Sequence, residues 1–253
     1  MDHLQNHPLP TPPASAASPA LSTASAATRI SALPTPRSHR LQPGSQKEIA
    51  LINYLDDRIL KITRRYAKKF SHEGGLEKDD TPGYTTYDEF VADVDPLVDV
   101  VWISGTPTIQ IPYLLSLAGL ACSYLQAFRF STSVFSLTSK IDQGFATLLQ
   151  PTENGATMSY NVSMTEKVRI KSLIEETRVA AVNAASGSGH DARIIHDVSE
   201  TETEDDDKDT EEDDDQPQNM SISLGLSRIY KRTLEILGDS LVTEIVPQAQ
   251  SNG

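Results

Sequence analysis

The feature that most constrains the fold is a stretch of 29 residues, 100–128, that contains no charged side chain. Such a run must leave water, either in a protein core or in a membrane, because burying apolar surface is the main favourable term in folding. Gly105, Pro107 and Pro112 interrupt it, and its most apolar part, 111–125, is shorter than the roughly 20 residues that cross a bilayer. We therefore predict a central helix buried on nearly all sides, with a membrane span as the alternative.

Apolar residues recur at three- and four-residue steps on both sides of this stretch, which is the pattern of amphipathic helices. The clearest case is 46–73, where the stripe consists of Ile52, Leu55, Ile59, Ile62 and Tyr66. Thr86 with Glu89, and Ser163 with Glu166, have the spacing of capping boxes and predict two helix starts. Asp95-Pro96 predicts a further start between them, with a first-turn proline.

Two segments have compositions typical of disorder. In residues 1–45, 27 positions are Pro, Ser, Ala or Thr, and 197–215 holds thirteen Asp and Glu with one Lys, which accounts for −12 of the net charge of −13. Neither has enough apolar area to offset the entropy of ordering it. The sequence thus predicts an all-α protein, a bundle of five or six helices. Its expected parts are a disordered tail (1–45), the bundle (46–185), an acidic disordered linker (186–221) and a last helix that packs back on the bundle (222–246).

No pattern in the sequence indicates a catalytic site. Phosphate-binding glycine loops, HExxH and GxSxG are absent. The single cysteine, Cys122, lies in the most apolar segment, where a thiol is usually inert. Five of the six histidines fall in predicted disorder. We expect a protein that is not an enzyme, without metal, cofactor or small-molecule substrate.

One cluster of like charges is a candidate binding surface. The first helix carries six cations away from its apolar stripe: Arg58, Lys61, Arg64, Arg65, Lys68 and Lys69. Such a face can be merely solvated, can contact an acidic partner or the chain's own acidic linker, or can bind nucleic acid. The sequence leaves these three interpretations open.

Two further sets of residues are candidates for interaction and regulation. Trp102, Tyr113 and Tyr124 are large aromatics in the uncharged stretch, where they can form a partner groove or simply belong to the core. The acidic linker has sites like those of casein kinase 2, at Ser199, Thr201, Thr203 and Thr210. Phosphorylation would make the linker still more negative.

The block from Tyr87-Asp-Glu-Phe through Ser104-Gly-Thr-Pro-Thr-Ile-Gln-Ile-Pro-Tyr-Leu-Leu, with Lys167-Val-Arg, resembles a family of small fungal proteins that carries a meiotic-recombination label. The similarity covers roughly residues 50–185 and the last helix. That label usually belongs to RecA-type recombinases, whose ATPase motifs this chain lacks. The resemblance therefore implies at most an accessory role, without strand-exchange catalysis, and it transfers no functional residues.

These observations predict a non-enzymatic helical adaptor or scaffold subunit that binds protein partners and is regulated by phosphorylation of its disordered segments. The alternative is an accessory DNA- or RNA-binding factor of recombination or repair that acts through the basic first helix. No secretory signal is recognisable, so we expect an intracellular protein, nuclear or cytoplasmic and not bound to a membrane. A mitochondrial presequence is the rival interpretation of the tail, but its prolines break the amphipathic helix that such a signal needs.

Overall fold

A computed structural model describes residues 32–70, 81–150, 161–190 and 216–245. Over these ranges the chain contains seven α-helices and no strand, which confirms the predicted all-α class and adds to the predicted number of helices. The helices are α1 (Gln46–Lys68), α2 (Tyr87–Ile103), α3 (Pro107–Leu125), α4 (Ser133–Leu149), α5 (Met164–Gly187), α6 (Gln216–Arg228) and α7 (Lys231–Ile245). The tail before residue 32 and the acidic run 197–215 lie outside the described residues.

Helix α3 occupies the centre of the bundle. It packs against α1, α2, α4 and α5, and eleven of its nineteen residues are buried. Within the described ranges it is also the one helix long and apolar enough to cross a membrane, with a mean hydropathy of 1.3. Burial on several sides explains why the stretch carries no charge, and its exposed positions include the uncharged polar residues Thr108, Ser116 and Ser123.

Helix α2 differs from the prediction, because it runs through Asp95-Pro96 without a break. Proline removes the bond that its N–H would donate to the carbonyl one turn earlier, at Ala92. Both Ala92 and Pro96 are exposed, so water can satisfy that carbonyl. Buried residues on both sides of the proline, among them Val94 and Leu97, share one face of the helix and hold it together.

The predicted last helix is two helices, α6 and α7, separated at Ile229-Tyr230. Tyr230 adopts a positive φ of 54°, which is unusual for a residue with a side chain. The first turn of α7 is capped from another helix, because the buried carboxylate of Asp142 in α4 accepts hydrogen bonds from the N–H groups of Arg232 (3.3 Å) and Thr233 (2.9 Å). This long-range cap fixes where α7 begins.

Residues 32–45 belong to the predicted tail, and the structure places them against the bundle. The N–H of Arg37 donates to the carbonyl of Ile103 (3.2 Å), and that of Leu41 donates to the hydroxyl of Thr106 (2.9 Å). Gly105 permits this approach: its φ is +57°, and a Cβ there would lie 2.6 Å from the carbonyl oxygen of Arg37. The segment therefore covers the corner between α2 and α3.

A buried lysine joins α4 to α2. The ammonium of Lys140 contacts the carboxylates of Asp95 (2.7 Å) and Asp99 (2.8 Å), and its side chain is almost fully buried. One cation thus balances two half-exposed carboxylates one turn apart on α2. A buried charge is tolerated only when it is paired in this way.

Candidate functional site

The candidate site is the basic side of α1, and its position follows from how α1 is attached. Ser45 caps the helix by accepting the N–H of Glu48 (3.3 Å). Leu55 and Ile62 are buried in the core. The ring of Tyr66 stacks on that of Tyr124 in α3, with centroids 3.5 Å apart and planes 3° from parallel. One side of α1 is thereby held by the bundle, and the basic side faces outwards.

A groove of about 400 Å³ runs between the basic side of α1 and the residues that lead into and form α2. We call it the basic groove. Five of its lining residues are the predicted cations, and one is a carboxylate. The lining consists of Arg58, Lys61, Ile62, Arg64, Arg65, Lys68, Thr81, Asp93 and Leu97.

The structure separates the six predicted cations into two sets, and the first set holds α1 in place. The guanidinium of Arg65 contacts Asp93 (2.5 Å) and lies over the ring of Tyr84, 4.2 Å from its centroid. The ammonium of Lys68 donates to the carbonyl of Thr81 (3.0 Å). The ammonium of Lys69 lies 4.4 Å above the ring of Phe128, outside the groove lining. These three side chains connect α1 with its neighbours.

The second set, Arg58, Lys61 and Arg64, is exposed along the groove at steps of three residues. Lys61 pairs with Asp57 one turn earlier on α1 (2.9 Å), and both side chains are more than half exposed. Arg58 lies over the ring of Tyr54, 5.3 Å from its centroid. Exposed contacts of this kind are weak, so these three cations can meet an anion at little cost.

The electrostatics of the groove wall support this division. Burial, with a hydrogen bond to Asp93, raises the pKa of Tyr84 well above its usual range, so its hydroxyl stays protonated and donates to that carboxylate (2.7 Å). Hydrogen bonds from Thr85 lower the pKa of Glu89, which keeps it charged 3.5 Å from Arg65. The wall facing Arg65 is therefore fixed and anionic.

The structure does not bring the three predicted groove aromatics together. Trp102 is buried at the end of α2, against Gly144, and Tyr124 is buried under Tyr66 near the far end of α3. Tyr113 is half-buried and donates its hydroxyl to Asp56 of α1 (2.7 Å). All three contribute to packing between helices. The four predicted phosphorylation sites lie outside the described residues.

An exposed apolar surface on α5 is not among the predicted sites. Met164, Val168 and Val179 are exposed and lie on one side of that helix, at spacings of four and eleven residues. A groove of about 450 Å³ adjoins the end of this side, where Val179 and Val182 meet Leu234 of α7. We call it the α5–α7 groove. The spacing was present in the sequence, but only the packing shows that this side of α5 faces outwards.

Among the described residues, no group of three or more His, Cys, Asp or Glu side chains could hold a metal ion. Cys122 is buried, and burial raises the pKa of its thiol.

Comparison with known protein families gives a match that covers more than half of the chain. Residues 83–238, from the start of the segment before α2 into α7, match the family TFB6, described as subunit 11 of the general transcription factor TFIIH. The chain belongs to this family. The resemblance to a meiotic-recombination family was therefore wrong. No curated protein and no solved structure matches the chain. All five cations that line the basic groove lie in α1, before the part of the chain that matches TFB6.

Proposed function

We propose that this chain is a subunit of TFIIH that acts by binding other protein subunits and not by catalysis. The observation that carries the proposal is the family match, which extends over nearly all of α2–α7. Two charged residues buried in this region support it, because both hold helices together: Lys140 joins α4 to α2, and Asp142 caps α7. A nuclear location follows from the same assignment.

The α5–α7 groove, with the exposed apolar side of α5, is the contact surface that we propose for a TFIIH subunit. Val168 and Val179 are 49% and 60% exposed, although valine is usually buried. Glu175, Arg178 and Asn183 border the groove and supply the polar rim typical of interfaces. An amphipathic helix of a partner could lay its apolar face into this groove.

We further propose that the helices on either side of the acidic linker fold as one bundle, and that phosphorylation of Ser199, Thr201, Thr203 or Thr210 regulates the subunit. Each phosphate would add about −1.5 to −2 charges to a segment that is already strongly acidic. The docking of α7 on α4 supports the first of these two proposals, because it continues the core across the linker.

The test is affinity purification of the tagged full-length chain from its native cells, after nuclease treatment, with quantification of the TFIIH subunits by mass spectrometry. We expect them in constant ratio to the tagged chain. The double variant Val168→Asp/Val179→Asp should lower their recovery at least tenfold. Leu60→Asp is the matched control, because Leu60 is similarly exposed (47%) but lies on α1, outside the matched region.

Absence of TFIIH subunits from the natural chain's purification would refute the assignment. Full recovery with the double variant would refute the α5 surface and leave the assignment intact. Partners that disappear on nuclease treatment would instead favour the accessory nucleic-acid factor.

A further inference from the structure

The basic groove presents more cationic charge than its own walls neutralise. Residues 32–70 contain nine Lys and Arg against three Asp and Glu. Arg65 is paired within the structure, whereas Arg58, Lys61 and Arg64 are exposed along the groove. A surface of this kind attracts a polyanion, and the charge pattern alone does not say which one.

We propose that the basic groove binds the chain's own acidic segment, 197–215. This segment carries thirteen carboxylates and a single lysine, so it is complementary to the groove in sign and far exceeds it in charge. The proposal concerns the chain by itself and does not depend on membership of TFIIH.

The fold places His190, the last described residue before the acidic segment, near the end of α1. His190 lies three residues after the end of α5, and its ring packs against that of Phe130, with centroids 5.8 Å apart. The hydroxyl of Ser188 accepts the N–H of Phe130 (2.9 Å). Phe128, two residues earlier in the same turn, lies under the ammonium of Lys69 at the end of α1. The chain therefore leaves α5 at the end of the bundle where α1 ends.

The chain that follows α5 is long enough for the acidic segment to reach the basic groove. Asp197 is seven positions after His190, and seven extended residues can span up to about 25 Å. From Lys69 back to Arg58, α1 is only about 17 Å long at its helical rise. The chain then returns to α6, whose Gly225 packs against Phe135, and Phe135 contacts Phe130 with centroids 5.7 Å apart. A tether this short gives an effective concentration of about 1 mM, so even a weak contact would be populated.

The groove suits an acidic peptide better than duplex nucleic acid. Its exposed cations are three residues within two helical turns, whereas proteins that bind duplexes well typically contact about 6–10 phosphates. Asp93 in the lining and Asp57 beside Lys61 would oppose a continuous phosphate backbone, while a peptide can place its carboxylates between them. Phosphorylation within 197–215 would strengthen the contact.

The first experiment detects the contact directly, by zero-length carbodiimide cross-linking of the purified full-length chain. Lys61 is compared with Lys171 and Lys231, which also lie within 4.0 Å of a carboxylate one helical turn away and are similarly exposed (56%, 45% and 60%). We expect cross-links from Lys61 to the acidic segment at least five times more often than from either control, and fewer of them in 0.5 M NaCl. Equal yields from the three lysines would overturn the proposal.

The second experiment measures whether the acidic segment occupies the groove. The probe is a fluorescent 20-residue polyglutamate peptide, titrated at 0.15 M salt, where charges beyond about 8 Å are screened. We compare the natural chain with a chain of equal length whose thirteen acids in 197–215 are replaced by Asn and Gln. The neutralised chain should bind the probe at least tenfold more tightly than the natural chain.

Charge reversal identifies the surface. In the neutralised chain, the triple variant Arg58→Glu/Lys61→Glu/Arg64→Glu should lose at least tenfold in probe affinity. The matched control, Lys167→Glu/Arg169→Glu/Lys171→Glu on α5, makes the same change in net charge and should lose less than threefold. Equal binding by the natural and neutralised chains, or no binding by the neutralised chain, would overturn the proposal. A 20-base-pair DNA that binds the natural chain more tightly than the probe does would also overturn it.

Discussion

Asp142 gives the sharpest test of how the C-terminal helices are held. Its carboxylate accepts the N–H groups of Arg232 and Thr233 and the hydroxyl of Thr233 (2.6 Å). These N–H groups lie in the first turn of α7, where a helix has no internal acceptors for them. Asp142→Ala would remove this acceptor from the N–H groups of Arg232 and Thr233, and the Thr233 hydroxyl would keep only the main-chain carbonyl of residue 142 (3.2 Å). The carboxylate also faces the positive end of the α7 dipole.

The magnitude follows from these bonds. A hydrogen bond to a charged group contributes about 1.5–3 kcal/mol, and loss of an N-cap alone costs about 0.5–2 kcal/mol. The desolvation of a buried carboxylate offsets part of this contribution. We therefore expect Asp142→Ala to lower the free energy of unfolding by about 2–4 kcal/mol. Asp142→Asn retains an acceptor for Thr233 and should cost about 1 kcal/mol.

Urea unfolding of the full-length chain, followed by circular dichroism, measures these changes. Limited proteolysis reports whether α6 and α7 are released first. Thr233→Val is the companion variant, because it removes the hydroxyl and leaves the N–H bond to Asp142 intact. An Asp142→Ala chain within about 0.5 kcal/mol of the natural one would refute the argument that this side chain caps α7.

The same residue makes stability depend on pH. Burial raises the pKa of Asp142 above its ordinary value of 3.8, and the Thr233 and Arg232 donors only partly oppose this shift. The folded chain thus keeps the proton to higher pH than the unfolded chain does. The contribution is fully present below the unfolded pKa and is lost as pH rises through the folded pKa. The stability of the natural chain relative to Asp142→Asn should therefore fall as the pH rises above about 4.

Three further variants test other contacts. Lys140→Met removes the cation between two carboxylates and should cost about 3–5 kcal/mol by urea unfolding, most of it restored when both aspartates are changed to asparagine. Gly105→Ala meets both a positive φ and the backbone of Arg37, so it should cost about 1–3 kcal/mol and expose 32–45 to protease, whereas unchanged cleavage would contradict the packing. Tyr66→Ala removes the stacked ring on Tyr124 and should cost about 3–5 kcal/mol, with faster amide exchange in α1 than in α5; equal rates would contradict this.

The sequence was sufficient for the elements whose signals are local. Apolar periodicity located α1, and the uncharged stretch located α3. The capping box at Ser163 and Glu166 located the start of α5 and is present with both of its hydrogen bonds. The sequence pattern misplaced helix boundaries that are set by contacts with residues far away in the sequence. The break at Tyr230 depends on the hydrogen bonds that Asp142, about 90 residues earlier, accepts from the start of α7. No local sequence pattern predicts these bonds. Pro96 is tolerated because its missing hydrogen bond lies on the exposed side of α2, which only the packing determines.

The candidate site was predictable in position but not in detail. Charge spacing singled out five cations of α1 and Lys69 just after it, yet spacing cannot tell an exposed lysine from one that contacts neighbouring parts of the fold. That distinction depends on Asp93, Thr81 and Phe128, which approach α1 from other parts of the chain. The burial of Trp102 and Tyr124 could not be predicted for the same reason, because the helices that cover them are distant in the sequence.

The basic groove is formed partly by the region that matches TFB6 and partly by α1, which precedes it. The TFIIH assignment and the binding of the acidic segment can therefore be tested separately. The match begins at residue 83, and Gly83 lies so close to α1 that a Cβ would be 2.9 Å from the backbone nitrogen of Lys69. The matched region supplies one wall of the groove with Asp93, while α1 supplies the exposed cations. Reversing the charges of Arg58, Lys61 and Arg64 should therefore abolish binding of the acidic segment and leave recovery of TFIIH subunits unchanged. Loss of both together would show that the groove itself is the TFIIH contact.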